Sequence, residues 1–294
     1  MLVFITGATG FVGRAVTARL LAEGHEVLGL ARSDAKAAAL EQAGARPIRG
    51  DLADTALLAA TAGSADAVIH LGFSHDFSNY LGAAELDRAA ITAMGNQLAG
   101  SNKPLLVTSG TAMLAGGRLI SEDDMAPTGR PGRVSEGTAL DFVAHGVRVS
   151  VLRLPPTVHG DNDHGFVAAL VGVARDKGVS AYVGSGDNRW SAVHVGDAAN
   201  AFVLALSKGV AGARYQPIGE QGIAMRSIAA TIGERLGLPV RSIAPEDAAA
   251  HFGWIANFAQ LDVPASSALT RQRLGWAPKG PTLLDDLANS TYFD

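Results

Sequence analysis

The chain has 294 residues, of which 48% are hydrophobic and 18% charged; its net charge is −4 and it holds no cysteine. Those values exclude a disordered chain, disulfides, thiolate metal sites and a cysteine nucleophile, and they give no electrostatic reason to bind nucleic acid or an anionic membrane. The length suits one large domain with a smaller companion, and the missing cysteines fit a reducing compartment, so a cytoplasmic location is the expectation.

The opening MLVFIT lacks a basic leader and breaks at once into glycines, which predicts a buried strand at 2–6 rather than a signal peptide. A helix follows from Phe11 to Glu23, a strand at 25–31, and a helix to about Ala43. The pattern repeats with strands at 46–50, 66–72 and 104–110, helices near 54–62 and from Ala83 to Gly100, then a Gly/Pro-rich loop, a helix from Gly132 and a strand at 147–154. Near-continuously apolar strands separated by helices predict a parallel sheet covered on both faces, an α/β doubly wound fold. No apolar run approaches the roughly 18 residues of a membrane helix.

After Pro155 and Pro156 the rhythm weakens. A helix from Phe166 to Lys177, short strands at Ala181–Val183 and Arg214–Ile218, and helices near Asp197–Ser207 and Arg226–Leu236 predict a smaller α/β lobe. The expected division is a dinucleotide-binding domain over 1–158, with contributions from 187–210, and a substrate lobe over 159–294. The substrate would enter the cleft between them.

In ITGATGFVG, Gly7, Gly10 and Gly13 stand between the first strand and the first helix. A turn there needs unusual φ, a pyrophosphate needs close backbone approach, and the helix N-terminus attracts its charge. This context predicts dinucleotide binding over an ordinary glycine turn. The second strand runs into Arg32 and Ser33, where an NAD enzyme would carry an acid. Arg32 could clamp a 2′-phosphate and Ser33 donate to it, so NADP is expected; nearby Asp34 keeps NAD open, and Arg32 could instead be a solvated surface residue. Asp51 and Leu52 suit the adenine edge, although Asp51 could equally cap the next helix.

TGATGFVG, the Asp51–Leu52 pair, VIHLG, VTSG, LRLPPTVHG and the ending SSALTRQRLGWAPKGPTLLDDL together resemble the extended and atypical short-chain dehydrogenase/reductases, whose members are NAD(P)-dependent and include epimerases and dehydratases. The resemblance spans nearly the whole chain. It implies that Gly7, Thr9, Gly10, Phe11, Val12 and Gly13 hold the pyrophosphate and that Leu71 and Gly72 line the adenosine side. It also implies Thr108 and Ser109 under the nicotinamide, Pro155, Thr157 and Val158 against its ring and carboxamide, and Ser109 or Thr111 on the substrate carbonyl. One departure is sharp. The family's YxxxK pair supplies an acidified phenol, but Tyr80, Tyr182, Tyr215 and Tyr292 are not followed by lysine at the fourth position, and the matching places hold Gly132 and Glu136.

Other groups could act in its stead. His159, Asp161, Asp163 and His164 crowd one loop, which suits either a metal site or an Asp/Asn turn in which Asp163 caps the next helix. His164 could touch substrate or relay a proton, and Phe166 just beyond it would meet the substrate. Trp190 lines the substrate pocket or the lobe core; His194 faces the cleft or is structural; Asp197 caps a helix. Ser74, His75 and Asp76 have the types of a hydrolytic triad, but adjacent loop residues rarely converge and no GxSxG elbow exists. His75 is therefore placed with the substrate near the nicotinamide, and no metal is assigned.

The resulting expectation is an NADP-dependent oxidoreductase acting on the carbonyl or alcohol of a small molecule. Ser109 or Thr111 would bond the oxygen, and His164, His194 or an ordered water would deliver the proton. The alternatives are an NADP-binding sensor or scaffold with little turnover, and an epimerase that retains its nicotinamide. Neither nucleic acid nor membrane is an expected partner; a homodimer is compatible with the sequence.

Overall fold

The protein is described from a computed structural model over residues 1–74, 79–125, 134–289 and 291–293. The first half alternates β1 (Leu2–Thr6), α1 (Phe11–Ala22), β2 (Glu26–Ala31), α2 (Asp34–Gln42), β3 (Arg46–Arg49), α3 (Thr55–Ser64), β4 (Ala67–His70), α4 (Tyr80–Leu98), β5 (Pro104–Gly110), α5 (Ser135–Leu140) and β6 (Arg148–Leu154). The rest runs β7 (Thr157–His159), α6 (Phe166–Lys177), β8 (Ser180–Val183), β9 (Arg189–His194), α7 (Val195–Lys208), β10 (Ala213–Tyr215), β11 (Glu220–Ala224), α8 (Met225–Leu236), β12 (Val240–Ile243), α9 (Ala248–Phe252), α10 (Ala256–Ala259), α11 (Ala268–Leu274) and α12 (Leu283–Asn289).

Seven strands form one parallel sheet in the order β10-β6-β5-β4-β1-β2-β3. Its inner strands β1, β2, β4, β5 and β6 are largely apolar because both faces are covered. Val16 and Leu20 of α1, Leu40 of α2 and Phe202 and Leu206 of α7 pack one face; Leu58 of α3 and Ile91 and Met94 of α4 pack the other. Each such fully buried side chain contributes about 1.5–3 kcal/mol relative to exposure. The chain turns outward from β1 in both directions, to β2 on one side and β4 on the other. That reversal opens a crevice at the carboxyl ends of β1 and β4, where doubly wound sheets bind ligands.

The lobe has its own core, in which Val167 and Leu170 of α6, Ile228 and Ile232 of α8, Trp190, Phe252 and Leu283 meet. Two small sheets, β11-β9-β7 and β12-β8, frame it. The boundary is less simple than a cut at 158. Within 187–210, α7 packs on the large sheet, whereas β9 belongs to a lobe sheet. β10 joins the large sheet beside β6, and Leu274 and Trp276 return to its core, so 159–294 is not wholly lobe.

Candidate functional site

The first turn of the crevice is built from glycines for steric reasons. Gly7 has φ of 70°, and a Cβ there would lie 2.7 Å from the Gly72 nitrogen. A Cβ on Gly13 would fall 2.0 Å from the Gly7 carbonyl oxygen, so loop and helix can approach only without one. Gly10 differs: it is exposed, and its Cβ would meet only the Gly7 oxygen, at 3.2 Å. The space above Gly10 is therefore open, and α1 begins there at Phe11 with no side-chain cap on its first N–H groups. This open cradle at a helix N-terminus is where the resemblance places a pyrophosphate. Thr9 and Val12 flank it, both half-buried.

Leu71 and Gly72 border the cradle. The Leu71 N–H donates to the Thr6 carbonyl at 3.2 Å, the Gly72 N–H donates to Thr6 Oγ1 at 3.1 Å, and Leu52 lies against Gly72. At the ends of β2 and β3, the Arg32 guanidinium stands 3.9 Å from the Asp51 carboxylate, with both side chains largely solvent-exposed. Ser33 Oγ caps α2 by accepting from the Lys36 N–H at 3.3 Å, which leaves its own proton to donate outward. Asp34 pairs with Arg49 at 2.8 Å. Asp51 does not cap α3; Asp54 does, accepting from the Leu57 N–H, while Asp51 holds the preceding turn through the Ala53 N–H.

At the far side of the crevice, β5 and β6 run in register, Ser109 beside Arg153 and Gly110 beside Leu154. Ser109 is 5% exposed. Thr108 is similarly enclosed. Pro155 and Thr157 are buried and Val158 half-buried, and Thr157 Oγ1 is a buried hydroxyl with no partner among the described residues. Thr111 must be withdrawn from the substrate. It is wholly buried, and its hydroxyl donates to the Leu154 carbonyl at 3.4 Å, joining β5 to β6.

The histidines separate. His164 is exposed and sets its ring edge-on to Phe11, centroids 6.1 Å apart, on the pyrophosphate side of the crevice. His194 is a structural residue: its Nδ1 accepts from the Gly196 N–H at 3.2 Å, capping α7, and its ring abuts His159 at 5.6 Å. That corrects its assignment as a proton donor. Asp197 is not the cap; its carboxylate accepts from the Lys279 and Gly280 N–H groups. Trp190 is corrected likewise. It is 1% exposed and its indole N–H donates to the Phe258 carbonyl at 3.1 Å, so it is lobe core. Phe166, half-buried, packs on it. His75 and Gly132 lie outside the described residues.

The crowded loop is held by the chain's end. Asp163 accepts from the Gly165 N–H at 2.7 Å and from the Tyr292 hydroxyl, and His159 pairs with Asp286 at 2.8 Å. Burial pushes the Asp163 carboxyl up, partly offset by Tyr292; burial also pushes His159 down, more than Asp286 restores. Among the described residues no group of three His, Asp or Glu side chains is placed to hold a metal ion.

Glu136 occupies the position where the family's lysine was sought, and its surroundings are structural. It is 6% exposed. Arg153 grips both its oxygens at 2.6 and 2.8 Å, and Arg214 adds a third bond at 2.6 Å. Burial alone would raise its pKa, but the two arginines together hold the carboxyl below the ordinary glutamate range. Sequence reasoning also passed over a buried chain behind the cradle: Thr6 Oγ1 to His70 Nδ1 at 2.7 Å, His70 Nε2 to Asp87 at 2.9 Å, and Ser135 Oγ donating to the same carboxylate. His70 sits in the quoted VIHLG, but nothing in that run signals a partner 17 residues away.

The fold and the cradle define a dinucleotide-binding α/β protein. The sequence model of the NAD dependent epimerase/dehydratase family matches residues 3–128, and the chain belongs to that family. An uncharacterized protein of Schizosaccharomyces pombe is 49% identical over 297 residues, covering 100% of both chains. The 4-hydroxy-2-methyl-3-oxo-4-farnesyl-3,4-dihydroquinoline-1-oxide ketoreductase of Stigmatella aurantiaca is 27% identical over 284 residues, 90% of this chain and 84% of its own. Among solved structures, the dTDP-glucose 4,6-dehydratase DesIV of Streptomyces venezuelae, with NAD bound, superposes with a TM-score of 0.78 at 20% identity, covering 99% of this chain and 95% of that one.

Proposed function

We propose that the chain is an NADP-dependent oxidoreductase that interconverts a carbonyl and an alcohol on a small organic molecule. The observation that carries this reading is Ser109: a hydroxyl at the carboxyl end of β5, 5% exposed and set across the crevice from the glycine cradle. The relationship to a ketoreductase supports it.

The residues fit the cofactor. The cradle has room for a pyrophosphate above Gly10, where a side chain would intrude, and Thr157 Oγ1 is a buried hydroxyl with no partner among the described residues. When bound, the reduced nicotinamide supplies a hydride to the carbonyl carbon; with one proton the carbonyl becomes an alcohol. Ser109 donates its O–H to the carbonyl oxygen, fixes its orientation, and strengthens that bond as negative charge gathers there. Proton delivery falls to water bound at Ser109, because His194 is spent on a helix cap and His164 stands on the pyrophosphate side. Arg32 and the Ser33 hydroxyl meet the 2′-phosphate.

Steady NADPH oxidation by the purified chain over a panel of ketones and aldehydes tests the reading. Tight NADPH binding with no turnover on any of them would favour a sensor or scaffold. Cofactor that stays bound through purification, with inversion of a carbinol centre and no net oxidation, would favour an epimerase. Cofactor choice has its own test. Arg32→Ala is expected to weaken NADPH binding by about 1.5–3 kcal/mol, the scale of a hydrogen bond to a charged group, and to leave NADH nearly unchanged. Titration by cofactor fluorescence reads both. Equal losses for the two cofactors would show that Arg32 does not read the phosphate.

A further inference from the structure

We propose that His164 is a cofactor-binding residue: its imidazole, beside the glycine cradle, donates a hydrogen bond to the pyrophosphate of the dinucleotide. The proposal rests on a dinucleotide occupying the crevice, and on neither the hydride chemistry nor the choice between NADP and NAD.

The loop after β7 is built to put that ring there. Asn162 takes a left-handed φ of 66°, a conformation asparagine tolerates better than most side chains, and so turns the chain sharply just before His164. The Asp163 N–H closes the turn by donating to the Gly160 carbonyl at 3.1 Å. Both oxygens of the Asp163 carboxylate are held, one by the Gly165 N–H at 2.7 Å and the other by the Tyr292 hydroxyl. The His164 ring that this loop presents is exposed, lies edge-on to Phe11 with centroids 6.1 Å apart, and has its Nδ1 3.4 Å from the Asn162 carbonyl oxygen. A carbonyl only accepts, so Nδ1 is the donor there and Nε2 is left for a ligand. Phe11 opens α1 directly after Gly10, above which the turn is open. A left-handed side-chain residue fixed by surrounding bonds is the kind of strain that collects where a group must be held for a ligand.

Charge gives the ring its role. The pyrophosphate of a dinucleotide carries two negative charges, whereas a helix N-terminus offers about half a positive one. α1 has no acid in its first turn to oppose the anion and no side-chain cap on its first N–H groups. An anion beside an imidazole draws a second proton onto it, and the Nε2–H of the imidazolium then makes a charge-assisted hydrogen bond to a phosphate oxygen. The same loop carries the carboxylates of Asp161 and Asp163, which disfavour an anion nearby; the imidazolium offsets them.

The test is equilibrium titration of the full chain with three ligands. NADPH is the first. 2′-Phospho-ADP-ribose keeps the pyrophosphate and lacks the nicotinamide; 2′-AMP lacks the pyrophosphate. The last two are read by displacement of fluorescent NADPH. His164→Ala and His164→Phe should each weaken NADPH and 2′-phospho-ADP-ribose alike, by about tenfold, and leave 2′-AMP within about twofold; tenfold is the low end for a hydrogen bond to a charged group because the ring is exposed. His164→Phe keeps an aromatic ring against Phe11 and removes only the nitrogens, so it separates hydrogen bonding from packing. Thermal unfolding verifies that both variants are folded. If NADH is the tighter cofactor, ADP-ribose and AMP replace the 2′-phosphorylated ligands and the same pattern is expected. A wild-type chain that binds neither dinucleotide would remove the cofactor reading, and the proposal with it. With the cofactor bound normally by the wild type, four results would each overturn the proposal alone: unchanged affinities in His164→Ala, a loss for NADPH that 2′-phospho-ADP-ribose does not share, an equal loss for 2′-AMP, or full affinity in His164→Phe.

Discussion

Gly10→Val should yield a folded protein whose affinity for NADPH has fallen at least about 100-fold, a loss of some 2.7 kcal/mol or more. The reasoning is local. Gly10 is exposed, and a Cβ there approaches only the Gly7 carbonyl oxygen, at 3.2 Å, a contact the turn can relieve by a small shift. The isopropyl group would then occupy the open space over the first N–H groups of α1, which is where a pyrophosphate must come. The neighbouring glycines cannot serve as well. A side chain at Gly13 would sit 2.0 Å from the Gly7 oxygen, and at Gly7 it would strike the backbone of Leu71 and Gly72. Those variants would break the β1–α1 joint, and lost binding would only report lost structure. Thermal unfolding and a cofactor titration on Gly10→Val separate the two effects. A folded Gly10→Val protein with ordinary NADPH affinity would remove the dinucleotide site from this crevice.

The contrast between Gly10 and Gly13 shows what the sequence could and could not carry. Three glycines between an apolar strand and a helix announce the cradle, because backbone approach leaves no other residue type. The inner strands β1, β2, β4, β5 and β6 were legible for a similar reason: burial on both faces makes each one a short apolar run, whereas the edge strand β10 read as part of the lobe. β7, β9, β11 and β12 were not. They are short, and the pairings that stabilise them, such as Trp190 of β9 opposite Ile223 of β11, come from distant parts of the chain. Side-chain roles were harder still. Thr111 and Ser109 sit two residues apart and look equivalent as letters; only the fold shows that the Thr111 hydroxyl is turned onto the Leu154 carbonyl, joining β5 to β6. Histidines 164 and 194 are likewise interchangeable in composition, yet one caps a helix and the other rests on Phe11. Glu136 looked like a gap in a catalytic pair because its arginines lie 17 and 78 residues away.

Ser109 and Glu136 therefore make opposite predictions, and measuring turnover and stability on both tests the account of the missing tyrosine and lysine. Ser109→Ala should lower turnover roughly 10²–10³-fold, the scale for losing one donor to a developing oxyanion, with thermal stability nearly unchanged. Glu136→Ala should do the reverse. It leaves Arg153, fully buried, without its carboxylate, and the loss of one partner from a buried pair costs about 3–5 kcal/mol. Turnover per folded molecule should change less than tenfold. Acid adds a second reading. The arginines hold the folded Glu136 pKa below its ordinary value near 4.5, so the native state binds that proton more weakly than the unfolded chain. Its stabilisation is complete above that ordinary value and is lost as pH falls through the lower, folded one. Wild-type stability should accordingly drop below about pH 4.5, and Glu136→Gln should flatten that part of the curve. If instead Glu136→Ala abolishes turnover in a folded protein while Ser109→Ala does not, proton transfer runs through α5, and the arginine-bound carboxylate is part of the chemistry rather than of the frame.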